Sequence, residues 1–148
     1  MNRSPQADQA NGHGKTRENI DLAHGEISRE VIGAFFHVYN TLGYGLAESV
    51  YQRSIAIAIE MRGVTARREV PLHVVFEGRA VGEYRADLIV AERILVETKS
   101  TERLLREHEA QVYNYLKISG LRVGLLLNFG PKQIFRRLLR PISQLPLR

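Results

Sequence analysis

The hydrophobic pattern of this chain changes its period at Gly63, and this change decides the class of fold. Before Gly63, apolar residues recur every three or four positions, which predicts helices over 27–42 and 46–61. After Gly63, β-branched residues become frequent and the period falls to two, which predicts strands over 70–76, 80–90 and 94–99. Two helices are therefore followed by an antiparallel β-meander.

Helical spacing returns over 104–118, and an uninterrupted apolar run follows over 123–129. A run this short, entered from a helix, is typical of a buried strand parallel to its neighbour. Residues 134–140 fit either a short strand or a helical turn. The predicted order is α-α-β-β-β-α-β, an α/β domain in which helices flank a mixed β-sheet.

The two ends of the chain differ in composition from the part between them. Residues 1–22 are polar and charged with little apolar surface to bury, so we expect a disordered leader before a domain over 23–130. Residues 131–148 contain five basic residues and no acidic one, which matches the whole net charge of +5. We expect a basic tail that contacts nucleic-acid phosphates through Lys132, Arg136, Arg137 and Arg140.

Composition excludes several kinds of site. The chain has 148 residues, the size of one domain, and no Cys, which excludes disulfides, a thiol nucleophile and cysteine metal sites. A metal ion would therefore need oxygen or nitrogen ligands. Apolar runs are far shorter than the roughly 18 residues of a membrane span, and no apolar secretory signal begins the chain. We expect a cytoplasmic protein without a membrane partner.

Two acidic residues interrupt predicted strands that are otherwise apolar. Asp87 lies in the second strand and Glu97 in the third, two residues before Lys99. Side chains alternate along a strand, so Glu97 and Lys99 project from one face and Thr98 from the other. Asp87 lies opposite Glu97 on that face only if the connecting loop is 91–93, because a loop of two or four residues reverses the face.

Two carboxylates placed in this way repel each other unless a cation lies between them. Hard oxygen ligands suit Mg²⁺ or Mn²⁺, which activate water for attack on a phosphodiester. In this hypothesis Asp87 and Glu97 bind the metal, and Lys99 orients the water or offsets charge on the phosphate. The alternative is an ordinary cross-strand pair, in which Glu97 with Lys99 or Arg85 is solvated on an open sheet face.

The pattern Asp87 followed by Glu97-Thr98-Lys99 resembles the active-site motif of the PD-(D/E)XK nuclease superfamily. Gly45-Leu46-Ala47-Glu48-Ser49-Val50-Tyr51 resembles the signature of its small bacterial branch named for the pattern GxxExxY. The similarity extends over residues 24–130. Ala86 stands where the superfamily's name has proline, and Thr98 stands where an apolar residue is common.

The resemblance implies a restriction-endonuclease-like fold and a nuclease that uses Mg²⁺ or Mn²⁺, with DNA as the favoured substrate. It implies that Lys99 is catalytic together with the metal ligands Glu48, Asp87 and Glu97. It also implies supporting roles for Gln111, Tyr51 and Tyr115, with Tyr51 on the same helix face as Glu48. From the residues alone, Glu48 fits equally well as an acid stabilised by a helix N-terminus. Gln111 and Tyr115 fit structural or substrate-contact roles, and His108 a hydrogen-bonding role.

Three functions remain open at this point. The first is the nuclease, and the second is a catalytically silent nucleic-acid-binding or adaptor module with the same fold. The third is a structural protein in which the acids are merely solvated. A nuclease with one site per chain that cuts both strands of a duplex would favour a homodimer.

Overall fold

A computed structural model describes the backbone of residues 12–141 and 147, and the side chains of residues 24–141 and 147. The helices are α1 (Gly12–Leu42), α2 (Glu48–Met61) and α3 (Arg106–Ser119). The strands are β1 (Ala66–Phe76), β2 (Arg79–Val90), β3 (Ile94–Lys99), β4 (Val123–Phe129) and β5 (Gln133–Leu139). The predicted α/β class is confirmed, and the order gains a final strand. Among the described helices, none is long and apolar enough to cross a membrane.

The five strands form one mixed sheet in the order β1-β2-β3-β4-β5. β3 and β4 are parallel, and the other neighbouring strands are antiparallel. The chain needs a crossover to bring β4 parallel to β3, and α3 provides it. Every residue of β4 is buried, which confirms the prediction made from its continuous apolar run.

Helices cover both faces of the sheet and enclose two apolar cores. On one face, α1 and α2 pack against the sheet around Phe35 and Leu125. On the other face, α3 packs through Val112 and Leu116 against Leu126. Successive residues of β4 thus face opposite cores, which is why the strand shows no alternation of polar and apolar residues.

The buried face of α2 differs from the face that the spacing indicates. Ile57 and Met61, two of the apolar residues whose spacing predicts this helix, are 60% and 73% exposed. The buried side chains are Tyr51, Gln52, Ile55, Ala56, Ala58 and Ile59. Apolar residues occur on two sides of this helix, so periodicity locates the helix without fixing which side meets the sheet.

Parts of the predicted leader and of the predicted basic tail form regular secondary structure. α1 begins at Gly12, so residues 12–22 of the predicted disordered leader are helical, because extending a packed helix forms one hydrogen bond per residue fixed. Residues 1–11 lie outside the described residues. The predicted basic tail contains β5, which pairs with β4 along its whole length. Removing residues 131–148 would therefore expose a buried strand.

The β1–β2 hairpin twists beside Asp87. Glu69 lies opposite Asp87 in the register of the flanking pairs, and its φ of 50° is a strained conformation for a residue other than glycine. Arg68 contacts α2, whereas Val70 joins the core under α3. Arg68 and Val70 are two residues apart on β1 and yet point to opposite faces of the sheet. Through this twist, the part of the hairpin that carries Asp87 faces α2.

Candidate functional site

The β2–β3 turn places the two predicted acids next to each other. Leu88 pairs with Val96, and the next residues along the two strands are Asp87 and Glu97. Residues 91–93 form the turn between the strands, which confirms the predicted three-residue loop. The carboxyl groups therefore lie at the end of the β2–β3 ladder.

At the end of the β2–β3 ladder, hydrogen bonds that involve side chains replace the backbone pairs. The Asp87 N–H donates to Glu97 Oε1 at 2.9 Å, and the Thr98 N–H donates to Asp87 Oδ2 at 2.8 Å. The Thr98 hydroxyl donates to the same Oδ2 at 2.8 Å. The expectation that Thr98 points away from the site is therefore wrong, because the Asp87 side chain reaches across to β3 where the paired register ends.

Gln52, a residue that the sequence did not mark as functional, holds the other oxygen of Asp87. Its side chain is 8% exposed, donates from Nε2 to Asp87 Oδ1 at 3.1 Å and accepts from Arg68 Nη2 at 3.1 Å. Asp87 thus receives three side-chain or backbone donors that set its orientation before any ligand binds. The sequence signal that could have identified Gln52 is its spacing, because it lies on the same side of α2 as the buried residues Ile55 and Ile59.

Glu97 is a buried acid with a strongly shifted pKa. Its side chain is 2% exposed, and burial, followed by the charge of Asp87, raises its pKa from 4.5 to about 8. Within the described part of the chain, neither Asp87 nor Glu97 forms an ion pair within 4 Å. Two adjacent acids without a cationic partner form a hard oxygen donor set that fits Mg²⁺ or Mn²⁺.

Glu48 and Lys99 border this pair. Glu48 is the first residue of α2, and partial desolvation raises its pKa, with the charges of Lys99 and His108 opposing and that of Asp87 adding. The side chain of Lys99 has no hydrogen bond or ion pair to any described residue, so its ammonium is available to a ligand. His108 accepts the Leu105 N–H on Nδ1 at 3.0 Å, which confirms its hydrogen-bonding role.

The three predicted metal ligands do not form one cluster. In residues 24–141 and 147, no three His, Asp or Glu side chains lie close enough together to hold a metal ion. The joint role of Glu48, Asp87 and Glu97 as metal ligands stays a prediction. The Asp87 N–H donates to Glu97, and the Asp87 carboxylate accepts from Thr98 next to it, whereas Glu48 lies at the start of a separate helix.

Tyr51 fixes the start of α2 through its hydroxyl and its ring. Its hydroxyl donates to Gly43 O at 2.8 Å and accepts the Leu46 N–H at 3.1 Å. Its ring stacks on Phe129 with centroids 4.2 Å apart, and the side chain is fully buried. Tyr51 thus holds the segment that precedes Glu48, and its supporting role on the helix face of Glu48 stays a prediction.

Gln111 and Tyr115 approach the site from α3. Gln111 Nε2 donates to the Tyr115 hydroxyl at 2.9 Å. Burial raises the pKa of Tyr115, the bond from Gln111 opposes this shift, and the charges of Glu97 and Asp87 add to it. The phenol therefore lies within electrostatic reach of both carboxyl groups, as a supporting residue would.

The four basic residues predicted to contact nucleic acid do not form one surface. Arg136 and Arg137 alternate along β5, and Arg136 pairs with Glu109 of α3 at 3.7 Å. Arg140 donates to two backbone carbonyls at the C-terminal end of α3. Lys132 and Arg137 are exposed. The strand conformation separates charges that composition alone groups together.

Comparisons with known proteins agree with this architecture. The solved crystal structure of SSO0001 matches with a TM-score of 0.53 and 17% identity, over 86% of this chain and 62% of that one, so the likeness concerns the fold and this chain spans less than two thirds of that protein. No curated protein matches the chain. A sequence model of the PD-(D/E)XK nuclease superfamily matches residues 25–138, which include all five strands almost completely. With its restriction-endonuclease-like sheet and the Asp87, Glu97 and Lys99 motif, the chain belongs to the PD-(D/E)XK nuclease superfamily.

Proposed function

We propose that this chain is a phosphodiesterase of the GxxExxY branch that hydrolyses nucleic acid with Mg²⁺ or Mn²⁺, and that DNA is its favoured substrate. The observation that carries the proposal is the adjacent pair of the partly buried Asp87 and the buried Glu97, which lacks an ion-pair partner among the described residues. Burying such a pair costs folding free energy, and a purely structural protein gains nothing in return. Membership in a nuclease superfamily supports the reaction class.

Each site residue has a role that follows from its surroundings. Asp87 and Glu97 would hold the cation, and Glu48, at the start of α2, is close enough to feel the charges of Asp87 and Lys99. When bound, the cation lowers the pKa of a water molecule and makes the phosphorus more electrophilic. Lys99 donates to a phosphate oxygen that gains charge as the bond from water forms and the bond to the sugar oxygen breaks.

Thr98→Val tests whether the Thr98 hydroxyl orients Asp87. Valine keeps the shape of threonine and removes the hydroxyl that donates to Oδ2, while the backbone donor remains. We expect the dissociation constant for Mn²⁺, measured by calorimetric titration, to rise about 10-fold. Thr101→Val is the control, because that hydroxyl donates to Arg103 O outside the carboxylate pair. Unchanged Mn²⁺ affinity in Thr98→Val would show that the Thr98 hydroxyl does not orient Asp87 for metal binding.

The proposed activity is tested with the full chain and labelled single-stranded DNA, duplex DNA and RNA. Each substrate is incubated with Mg²⁺, with Mn²⁺ or with EDTA. We expect shortened products only with a divalent metal and none from Asp87→Asn, because an amide is a weaker metal ligand than a carboxylate. Saturable Mn²⁺ binding by the wild type without product from any substrate would contradict the proposal.

A second candidate function is a catalytically silent nucleic-acid-binding or adaptor module. The lack of a three-ligand group among the described residues favours it. Such a module would bind nucleic acid with an affinity that falls steeply as salt rises, and would release no metal-dependent product. Binding and cleavage measured on the same substrates therefore separate the two functions.

A further inference from the structure

A groove between the β1–β2 hairpin and α3 lies beside the candidate site. Its volume is about 550 Å³. The hairpin contributes Val74 and Tyr84 to one wall, and α3 contributes Gln111, Asn114 and Tyr115 to the other. This volume exceeds that of a single nucleobase, and the walls come from two separate elements of the sheet and helix layers.

The groove and the carboxylate pair share strand β2, on which Tyr84 lies three residues before Asp87. Tyr115 lines the groove and is 7% exposed, and the charges of Glu97 and Asp87 both act on its phenol. Gln111, which also lines the groove, donates to the same phenol. A ligand bound in the groove would therefore contact Tyr115, the residue that both carboxyl groups influence.

The chemistry of the groove favours a flat, uncharged ligand. The ring of Tyr84 is 48% exposed and lies 5.8 Å from that of Tyr115, which leaves an aromatic surface for stacking. The amide of Asn114 adds hydrogen-bonding capacity. The charged residues among the described lining are Glu107 and Lys117, whose opposite signs do not attract phosphates.

We propose that this groove binds an unpaired nucleobase of the strand to be cleaved, stacked on Tyr84. The substrate is then single-stranded or frayed nucleic acid, and this inference rests on the proposed nuclease function. A base in an intact duplex is paired and stacked between its neighbours, so it enters such a groove only after extrusion, which costs free energy. Lys99 contacts the phosphate while the base turns toward α3.

The test measures binding in EDTA, so that it does not depend on hydrolysis. A fluorescent single strand of about 12 nucleotides and the matching duplex are titrated with each variant. We expect Tyr84→Ala to raise the single-strand dissociation constant by about 5- to 100-fold and to leave duplex binding unchanged. Tyr84→Phe keeps the ring and should bind like the wild type. Phe76→Ala removes an exposed ring of the same hairpin outside the groove and should have no effect.

Three results overturn the groove proposal. They are wild-type affinity in Tyr84→Ala, equal losses for single strand and duplex, and no binding of a single strand by the wild type. Tyr84-dependent binding without any metal-dependent product supports the groove and contradicts the nuclease activity. Metal-dependent cleavage with no effect of Tyr84 on binding supports the nuclease activity and contradicts the groove.

Discussion

Lys99→Met is expected to slow metal-dependent cleavage by about 10²- to 10⁴-fold while Mn²⁺ still binds. The Lys99 ammonium has no partner among the described side chains, yet its charge lowers the pKa values of Glu97 and Glu48. It therefore lies beside the acids and is available to a phosphate. Methionine keeps the apolar stem of lysine and removes the charge.

The metal-binding measurement separates a catalytic role of Lys99 from a structural one. Calorimetry of Lys99→Met should give a Mn²⁺ affinity equal to or above that of the wild type, because an ammonium repels a divalent cation. Arg79→Met removes a cation at the tip of the β1–β2 hairpin and should cleave normally. Wild-type cleavage by Lys99→Met would contradict the role of Lys99. Loss of Mn²⁺ binding together with activity would mean that Lys99 maintains the site's structure.

The register of the site could be predicted because it depends on local sequence. The apolar pattern lapses over 91–93, and a loop of that length determines which residues of the two strands face each other. Asp87 and Glu97 become neighbours as a result. The same local logic predicts the bounds of β3 and β4, because each is a short apolar run with clear ends.

Contacts between distant elements could not be predicted in the same way. Gln52 bonds to Asp87 across 35 positions, and this contact depends on which side of α2 faces the sheet. Two-residue alternation describes an ideal strand, so it misses the bond from Thr98 to Asp87 at the end of the ladder. The stacking of Tyr51 on Phe129 also joins distant parts of the chain, and local spacing does not predict it.

The acids themselves conflict with the apolar strands that contain them, and this conflict was the strongest functional signal in the sequence. Local preference and burial favour an apolar residue at Glu97, a position that is 2% exposed. A chain that retains a carboxyl group there has lower stability than it could have. The size of this loss can be measured.

Glu97→Gln is expected to raise the free energy of unfolding of the metal-free protein by about 2–4 kcal/mol near pH 9. Burial first, and then the charge of Asp87, raise the folded-state pKa of Glu97 from 4.5 to about 8. The folded protein thus holds this proton more tightly than the unfolded chain. The resulting stability is fully present below about pH 4.5 and is lost as the pH rises through about 8. Glutamine does not titrate, and its Oε1 still accepts the Asp87 N–H.

Urea denaturation in EDTA from about pH 5 to pH 9 measures this difference. The unfolding free energies of wild type and Glu97→Gln should converge at the acidic end and separate as the pH rises. Glu83→Gln, at an exposed carboxylate of β2, should follow the wild type throughout. A constant offset across this range would mean that ionisation of Glu97 is not the cause. Mn²⁺ should then stabilise the wild type and not Glu97→Gln, because a ligand that binds only the folded state raises its stability. Together these results would show that the buried acid is costly until a cation neutralises it.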